Sequence, residues 1–433
     1  MKSRHFSFGF ASAALGLGLA LSGCGDDDAE PCDPNTIGTI CTVIGLGENG
    51  YDRGADTTAM PAIEARLSLP QDVLPAADGT IYVLDWNNHR VRRRSTDGLL
   101  HWVAGRGELG GTLDDPGSGD FNHPTNIIFD ATGANLLIAA WHNSKIRTID
   151  PLTGVVSDTC GDGRRAYFGD EGPATTAALD LPASLALSPT GDLVVMDQAN
   201  QVLRRIDAAG TIHLLAGRCV IDAPAPGGPG PCADGVEPTA CPGGSGKLVC
   251  GDPMMHCGKP CTPGYGGDEG PATAMRMSQP FGQAATPAGR ILYDEAGNLF
   301  FADTANHLIR KIDPAGVVHR VAGLAPIDGV PQHGFAGDGG PALEATLDFP
   351  VDLALGEDGT LYFTDVHNHC VRAIDPSGTI DTVAGVCGMR GFSGDAGPPD
   401  AALLNLPFGI AYADGRLLIA DTGNSRIRSI RLR

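Results

Sequence analysis

The sequence DTANHLIRKID, residues 303–313, determines how the rest of the chain is interpreted, because near-copies of it recur at five other places. These copies begin at Asp85, Ala140, Asp197, Asp365 and Asp421. In every copy an Asn stands three residues after the first position and an Arg stands seven residues after it. A fixed offset repeated six times indicates one structural unit that is used again along the chain.

Each unit has the sequence pattern of four short antiparallel strands. In residues 351–365, VDLALGEDGTLYFTD, two apolar runs flank an Asp-Gly turn, which is typical of a β-hairpin. Another Gly turn follows the Arg of the unit, and then comes a fourth apolar run such as GTIDTVAG, residues 378–385. Four strands in a repeat of about 56 residues predict the blade of a β-propeller.

These units resemble the NHL-repeat family of β-propellers, in particular its bacterial and teneurin-type members. The family takes its label from an Asn-His-Leu sequence, which is present here at residues 306–308. Four units also carry a GDxGP preamble similar to that family, beginning at Gly169, Gly267, Gly337 and Gly394. The resemblance covers residues 39–433 and implies an all-β, six-bladed propeller of four-stranded antiparallel blades. It does not identify a function, because propellers host both binding and catalysis.

The N-terminal strand is expected to close the ring. Residues 39–45, TICTVIG, match the fourth strand of a unit, whereas the chain ends at Arg433 just after a third strand. Pairing of these two segments completes the last blade and removes two exposed strand edges.

The first 23 residues have the pattern of a bacterial lipoprotein signal peptide. An apolar run follows two basic residues, and residues 21–24, LSGC, resemble a lipobox. The pattern predicts cleavage before Cys24 and lipidation of its thiol, with an ordinary secretory signal as the alternative. Residues 24–38 are acidic and rich in turn formers, so they are expected to form a flexible tether. The predicted location is the bacterial cell envelope, at the outer membrane or cell surface, because Gly25 replaces the aspartate of the inner-membrane retention signal.

Composition favours an exported all-β domain and argues against a nucleic-acid partner. Gly (61) and Pro (32) exceed one fifth of the 433 residues, as a turn-dense protein requires. The signal peptide holds two of the 30 basic residues, so the mature chain has 28 Lys and Arg against 51 Asp and Glu, a formal charge of −23. Such a surface repels phosphate groups. The expected partner is an envelope or extracellular protein or glycan, and the membrane is contacted through the lipid anchor alone.

Half of the twelve cysteines lie in a Gly/Pro-rich insertion, residues 219–264, between the third and fourth units. They are Cys219, Cys232, Cys241, Cys250, Cys257 and Cys261. Because the protein is predicted to be exported, three disulfides are expected to staple a segment that is too small to have its own core. Metal binding through His256, Cys257 and Cys261 is the alternative, although CxxC spacing is absent.

The remaining cysteines of the propeller predict one further disulfide. Cys370 and Cys387 fall near the same end of adjacent antiparallel strands, so we expect them to pair. Cys32, Cys41 and Cys160 form an odd set, which implies one free or intermolecular thiol.

The tips between the second and third strands are expected to lie on one face with the preambles and the insertion, and this face is the candidate binding site. The repeated Asp and Arg are expected to be structural, because Asp and Asn cap turns and Arg pairs with carboxylates or carbonyls. The candidate binding residues are Trp86, His89, Trp141, His142, His307, His367 and His369. Packing of the two tryptophans against neighbouring blades is the alternative.

The histidines also leave open an enzyme with a metal at the propeller axis. His89, His307 and His369 share one column of the tip motif, and His142 and His367 share another. The resemblance extends to peptidyl-amidoglycolate lyase, a propeller enzyme that binds zinc through His residues near the axis. Three convergent His with an open coordination position form a catalytic zinc site. However, the inner strands here contain no His.

The sequence therefore favours a non-catalytic scaffold that binds a protein or glycan. The alternative is a metal-dependent lyase or hydrolase with its site at the axis. No GxSxG, HExxH or Walker sequence is present. No cofactor is expected, with calcium at the carboxylates of the GDEGPA loops as a candidate and simple turn capping as its alternative.

Overall fold

A computed structural model describes residues 32–52, 54, 57–107, 119–221, 239–240, 248–249, 261–282 and 284–433. These residues form an all-β propeller of six blades, so the fold class predicted from the repeats is confirmed. The signal peptide, Cys24 and residues 25–31 of the expected tether lie outside the described residues. In the part of the chain that is described, no helix is long and apolar enough to cross a membrane.

Each blade has four antiparallel strands, which we number outward from the axis. The inner strands of blades 1 to 6 are Asp72–Pro75, Pro124–Phe129, Pro182–Leu187, Ile291–Tyr293, Pro350–Leu355 and Pro407–Ala413. The second strands are Ile81–Asp85, Leu136–Ala140, Leu193–Asp197, Leu299–Asp303, Leu361–Asp365 and Arg416–Asp421. The third strands are Arg90–Arg94, Lys145–Ile149, Val202–Ile206, Leu308–Ile312, Cys370–Ile374 and Arg426–Arg431. The fourth strands are Leu99–Ala104, Val156–Cys160, Thr211–Gly217, Val318–Ala322, Thr379–Ala384 and, in blade 6, Ile40–Ile44.

The N-terminal strand closes the ring as predicted. Ile40–Ile44 pairs antiparallel with Arg426–Arg431, and Ile40 stands opposite Ile430. The last blade is thus built from both ends of the propeller, which satisfies edge groups that would otherwise be exposed.

Three blades carry a fifth, two-residue strand at the outer edge, which the sequence analysis did not predict. These strands are Met60–Pro61, Gly172–Pro173 and Gly340–Pro341. Two of them belong to GDxGP preambles, and each pairs with the fourth strand of its own blade. Proline suits this place, because an edge residue needs no N–H toward solvent. A short 3₁₀ turn follows the preamble at Ala62–Glu64, Ala174–Thr176, Ala272–Ala274, Ala342–Glu344 and Pro399–Ala401.

The hydrophobic core lies between the blades. Leu361–Asp365 is buried at every position, because a blade packs both of its faces against neighbours and strand residues alternate between those faces. One core cluster, for example, joins Val83 of blade 1 to Leu418 and Ile427 of blade 6.

The two ends of the propeller differ in what they carry. One end, called the tip face below, carries the six turns between second and third strands, each a 3₁₀ turn. These are Trp86–Asn88, Trp141–Asn143, Gln198–Asn200, Thr304–Asn306, Val366–Asn368 and Thr422–Asn424. The opposite face carries the hairpins between first and second strands and between third and fourth strands.

The fourth unit contains an insertion, because Pro280 stands 23 residues before Asp303, whereas Pro70 stands 15 residues before Asp85. Ser278 N donates to the tip carboxylate of Asp303 (2.7 Å), as Ser68 N does to Asp85 two residues before Pro70. Pro280 therefore keeps the usual place of the proline, and residues 281–288 are the added segment.

The disulfides agree with the predicted oxidising environment. The structure joins Cys370 to Cys387, Cys32 to Cys41, and Cys219 to Cys261 at the two ends of the insertion. Cys232, Cys241, Cys250 and Cys257 lie outside the described residues. Among the described cysteines, Cys160 is free and buried. Within the insertion, Leu248–Val249 pairs parallel with Val220–Ile221 and antiparallel with Thr239–Ala240.

Candidate functional site

The repeated Asp, Asn and Arg of the tip motif form a buried hydrogen-bond network. Asp303 is fully buried, and one carboxylate oxygen accepts from Asn306 Nδ2 (2.9 Å) and Arg310 Nη1 (3.0 Å). Arg310 also donates to the backbone oxygen of Arg276 (2.9 Å) and to Asp268 of the preamble (2.6 Å). The motif therefore ties together the second strand, the third strand and the preamble of one unit.

The same network recurs in the other blades. The tip carboxylates of Asp85, Asp197, Asp365 and Asp421 each accept from the Asn three residues later. Burial raises the pKa of Asp303 to about 6 and that of Asp197 to about 7, while the neighbouring arginine opposes the shift. In blade 2, where Ala140 replaces Asp, Asn143 Oδ1 accepts the backbone N–H of Asn122 instead (2.7 Å). These residues serve the blade and are closed to an external ligand.

The preambles clamp the same arginines from outside. An aromatic ring lies over the guanidinium, as Phe335 does over Arg372 with 5.1 Å between Cζ and the ring centroid. Asp338 accepts from Arg372 Nη2 (2.6 Å). Gly337 has φ +100°, and a Cβ there would lie 2.7 Å from Ala345 Cα, so this position requires glycine.

In the sequence, the carboxylates of the GDEGPA loops are candidate calcium ligands. In the structure, two of these carboxylates lie against histidine side chains. Glu171 lies 2.9 Å from His213 Nδ1, and Glu269 lies 3.0 Å from His319 Nδ1. Within the described ranges, no group of three or more His, Cys, Asp or Glu side chains is arranged to hold a metal ion. Calcium binding at these loops therefore stays a prediction.

One column of candidate histidines links consecutive blades. His307 has φ 56° and its Nδ1 accepts the backbone N–H of Phe349 in blade 5 (3.0 Å). His89 and His369 accept in the same way from His123 (3.2 Å) and Leu406 (3.1 Å). In blade 3, Gln201 takes the place of His and its Oε1 accepts from Gln279 N (2.7 Å).

An acceptor at Nδ1 must be unprotonated, so the inter-blade bond requires a neutral ring. Consistent with this, burial lowers the pKa of His307 to about 4, and Asp348 nearby only partly offsets that effect. His89, His307 and His369 thus act as inter-blade acceptors in this structure.

The two candidate tryptophans pack between blades, which is the alternative that the sequence left open. Trp141 is 1% exposed, its Nε1 donates to Gln198 of blade 3 (3.3 Å), and its ring stacks on His142 at 4.3 Å. Trp86 packs on His123 at 4.3 Å between ring centroids. Burial lowers the pKa of both His123 and His142 to about 4. Trp141 is therefore a packing residue, and its prediction as a ligand-contacting residue is corrected.

One exposed part of the tip face lies between blades 4 and 5. His367 stacks on Phe349 at 4.5 Å, and its side chain is 49% exposed. His333, 63% exposed, places Nδ1 3.4 Å from Asp348, whose carboxylate also lies 3.2 Å from His367 Nδ1. Ile327 and Val330 of the adjoining loop are 61% and 62% exposed. We call Ile327, Val330, His333, Phe349 and His367 the 4–5 patch.

Sequence reasoning found His367 but missed the rest of the 4–5 patch. The available signal was length, because the segment between the fourth strand of blade 4 and the Gly337 preamble is longer than its counterpart before Gly394. Residues that occur in one unit alone leave no column to compare, so only the extra length marks them.

The propeller axis contains a ring of polar side chains that the sequence analysis also missed. Each inner-strand N–H that faces the axis needs an acceptor. In blades 2, 3, 4 and 6 the preceding blade supplies it, whereas in blades 1 and 5 the Asp of the same strand does. Asp72 Oδ2 accepts from Ile127 N (2.9 Å) and Asn126 Oδ1 accepts from Leu185 N (2.7 Å). The further acceptors are Ser184 for Ile291 N (3.1 Å) and Asp352 for Ile410 N (2.9 Å).

Arg290 crosses this ring from blade 4 to the opposite side. It is 2% exposed, its Nη1 lies 3.0 Å from Asp72 Oδ2, and its Nη2 donates to the backbone oxygen of Thr125. A guanidinium thus stands where the metal-enzyme alternative requires a metal ion with several donor ligands. The axial residues do not fit a catalytic zinc site.

Comparisons with known proteins find relatives of low sequence identity. No family model matches the chain. It is similar to the chloroplast protein SUPPRESSOR OF QUENCHING 1 of Arabidopsis thaliana, with 26% identity over 317 residues, 72% of this chain and 25% of the relative. It is also similar to teneurin-4 of Mus musculus, with 27% identity over 276 residues, 61% of this chain and 8% of the relative. The chain spans a quarter or less of the length of these relatives.

A solved structure supports the fold. The chain is similar to an auxiliary nutrient binding protein from Bacteroides thetaiotaomicron, with a TM-score of 0.55 and 14% identity over 90% of this chain and 75% of that protein. At this identity the likeness shows the fold alone. Together with the teneurin similarity, it supports the NHL-like propeller that the repeats indicate.

Removal of one tip arginine is expected to destabilise the propeller strongly. Arg310→Met leaves Asp303 buried without its cation, so the free energy of unfolding should fall by about 3–5 kcal/mol. Urea denaturation at constant m-value measures this change. Arg433→Met, which removes an exposed arginine paired with Glu357, is the control and should change stability little. A loss in Arg310→Met no larger than in the control would contradict a structural role for the tip network.

The lowered pKa of His307 predicts that the stability of the protein falls as the pH falls. His307→Gln keeps an acceptor, as Gln201 does, so stability at pH 7 should change by less than about 1 kcal/mol. Because the pKa of His307 is lowered on folding, wild type should lose stability as pH falls from about 6.5 toward 4, by about 1–2 kcal/mol more than the variant at pH 5.

His213→Gln provides a control of opposite sign. The hydrogen bonds that His213 donates to Asp207 and Glu171 raise its pKa, so its contribution is present at low pH and is lost as pH rises through the folded-state pKa. Chemical denaturation of the three proteins between pH 5 and 8 tests both signs. Parallel pH profiles for wild type and His307→Gln would show that the His307 ring is not held neutral by folding.

Proposed function

We propose that this chain is a lipid-anchored, extracytoplasmic propeller that binds a protein or glycan through its tip face and does not catalyse a reaction. The observation that carries the proposal is a difference between repeated and unrepeated residues. The repeated Asp, Asn and Arg form hydrogen bonds inside the blades, whereas the 4–5 patch occurs once and is exposed.

The 4–5 patch has the composition of a binding surface. Ile327 and Val330 form the two ends of a tight turn, with Ile327 N donating to Val330 O (3.1 Å), and both side chains face solvent. Adjacent imidazoles on His333 and His367 add hydrogen-bonding groups beside this apolar tip. Exposed aliphatic groups rimmed by polar groups are typical of interaction sites.

The rigidity of the surrounding ring supports recognition by a pre-formed surface. Phe349, which supports His367, has its backbone N–H held by His307 of the preceding blade. The Phe349 part of the patch is therefore fixed across a blade junction, so that ordering it on binding costs little conformational entropy. Three disulfides support an oxidising compartment as the place of action.

Site-specific photo-crosslinking tests the binding surface. A photoreactive phenylalanine analogue at Val330 should give a discrete adduct in intact envelopes, and mass spectrometry of the adduct distinguishes a protein from a glycan. The same analogue at Ser377, in a hairpin of the opposite face, is the control. Ile327→Asp should reduce the Val330 adduct at least tenfold, since it places a charge in the apolar contact. Equal adducts at both positions, or no effect of Ile327→Asp, would exclude the 4–5 patch as the binding surface.

Lipid anchoring has its own test. Cys24→Ser should abolish incorporation of an alkyne-labelled fatty acid and move the protein from the membrane fraction to the soluble fraction, because the thiol that carries the lipid is absent. Cys160→Ser keeps the lipobox and should retain the label. Label that persists in Cys24→Ser would contradict the lipoprotein assignment while leaving the binding proposal intact.

A further inference from the structure

A cavity follows the axis on the side away from the tip face. It has a volume of about 270 Å³, and the inner strands of all six blades line it between the polar ring and the opposite face. Its walls combine backbone polar groups with aliphatic side chains, including Leu74, Ile128, Leu292 and Leu355, and Tyr412 also lines it. The inner end is formed by the polar ring, including Asp72 and Asp352.

The polar end of the cavity has one carboxyl group, Asp352, that lacks an ion-pair partner among the described residues. Asp72 is paired with Arg290 at 3.0 Å and also accepts from Asn126 Nδ2 (2.7 Å). Asp352, only 6% exposed, accepts from the backbone N–H groups of Leu353 (2.8 Å) and Ile410 (2.9 Å). It forms no ion pair with any described residue. The inner end of the cavity therefore holds two carboxyl groups and one guanidinium, which pairs with Asp72.

An acidic groove adjoins the mouth of the cavity on the opposite face. The groove has a volume of about 550 Å³ and shares Leu355 and Tyr412 with the axial cavity. Its rim carries Asp294, Glu295, Glu357 and Asp414. Of these four carboxylates, Glu357 is paired with Arg433 at 2.9 Å. The path from the groove to Asp352 thus has carboxyl groups at both ends and aliphatic side chains along its walls.

We propose that the axial cavity binds a linear alkylammonium group. The ammonium donates to Asp352, the methylene chain lies along Leu74, Ile128 and Leu292, and a second cationic group, where the ligand has one, lies at the groove carboxylates. This chemistry is shared by free diamines and by the lysine side chain of a peptide. One open carboxylate suits a monovalent ammonium but cannot supply the ligand set of a divalent metal.

Binding should be coupled to the protonation of Asp352. Burial raises the pKa of this carboxyl to about 7, with Arg290 opposing and Asp72 reinforcing that effect. Tyr412 also lines the cavity, and Glu357 and Arg433 lie at its groove. Because the ammonium needs the ionised carboxylate, affinity should rise with pH below the pKa of Asp352, by up to about tenfold per unit, and level off above it.

Calorimetric titration of the full chain tests the proposal. Cadaverine and hexylamine should bind, whereas 1-hexanol, which has the same apolar chain without the charge, should bind at least tenfold more weakly. Titration with a capped lysine peptide distinguishes the two sources of the ligand. Binding tighter than cadaverine would indicate a lysine side chain, and weaker binding would indicate a free amine.

Three variants separate the axial site from general surface charge. Asp352→Asn should lower the affinity for hexylamine at least tenfold and remove its pH dependence, while Asp207→Asn, in an outer turn of blade 3, should leave both unchanged. Leu292→Trp fills the cavity without altering charge and should also abolish binding, so the test stands even if Asp352→Asn folds poorly. Affinity that is unchanged in Leu292→Trp, or equal for hexylamine and 1-hexanol, would overturn the proposal.

Discussion

The structure depends on one buried guanidinium at the tip of each blade. Arg204, Arg310, Arg372 and Arg428 have no solvent exposure, and a buried cation costs several kcal/mol unless it is matched by charge and hydrogen bonds. Its partners come from three separate parts of the unit. The second strand supplies a carboxylate, the turn before the inner strand supplies a backbone oxygen, and the preamble supplies a second carboxylate and an aromatic ring. This requirement explains why the offset from Asp to Arg is the same in the five copies that have the Asp. In blade 2, where Ala140 replaces it, Arg147 pairs with Asp158 instead (2.8 Å).

Buried backbone N–H groups also need hydrogen-bond partners, and this requirement determines which side chains lie at the axis. Inner strands have no neighbouring strand on the axial side, so their N–H groups need side-chain acceptors, which come from the preceding blade in blades 2, 3, 4 and 6. Asp72, Asn126 and Ser184 fill this role in turn around the ring. In blade 6 the equivalent position is Gly409, because a Cβ there would lie 2.6 Å from the backbone oxygen of Gln71. The ring is therefore a packed polar layer that separates the tip face from the axial cavity.

The fold could be predicted from the sequence because its determinants repeat. Six equal offsets, paired apolar runs and a matching N-terminal strand fix the blade count and the closure without any tertiary information. The roles of His89, His307 and His369 were less accessible, since the group that each one binds is a backbone N–H about 40 residues away. Repetition showed that these residues mattered, and the structure showed that they hold blades together.

The axial residues and the 4–5 patch could not be predicted for a different reason. Arg290 and Asp72 are separated by 218 positions in the sequence, and neither belongs to a repeated column. Tip-face exposure likewise depends on whether a side chain enters the next blade, as Trp141 does, or stays outside, as His367 does. Trp141 and His367 both come just after a hydrophobic second strand, so the local sequence does not show which side chain is buried and which is exposed.

The blade junctions explain how such variation is tolerated without loss of the ring. Blades 1, 3, 4 and 5 each use a His or Gln acceptor toward the next blade, whereas blades 2 and 6 have Ser144 and Ser425 at that position. At the first of these exceptions the Trp141 indole donates to Gln198 (3.3 Å), and at the second the Thr422 hydroxyl donates to the backbone oxygen of Pro70 (2.6 Å). Every junction thus keeps a polar bridge, although the residues differ. With the ring secured in this way, the loops at one end and the cavity at the other can change independently, which is what a scaffold for recognition requires.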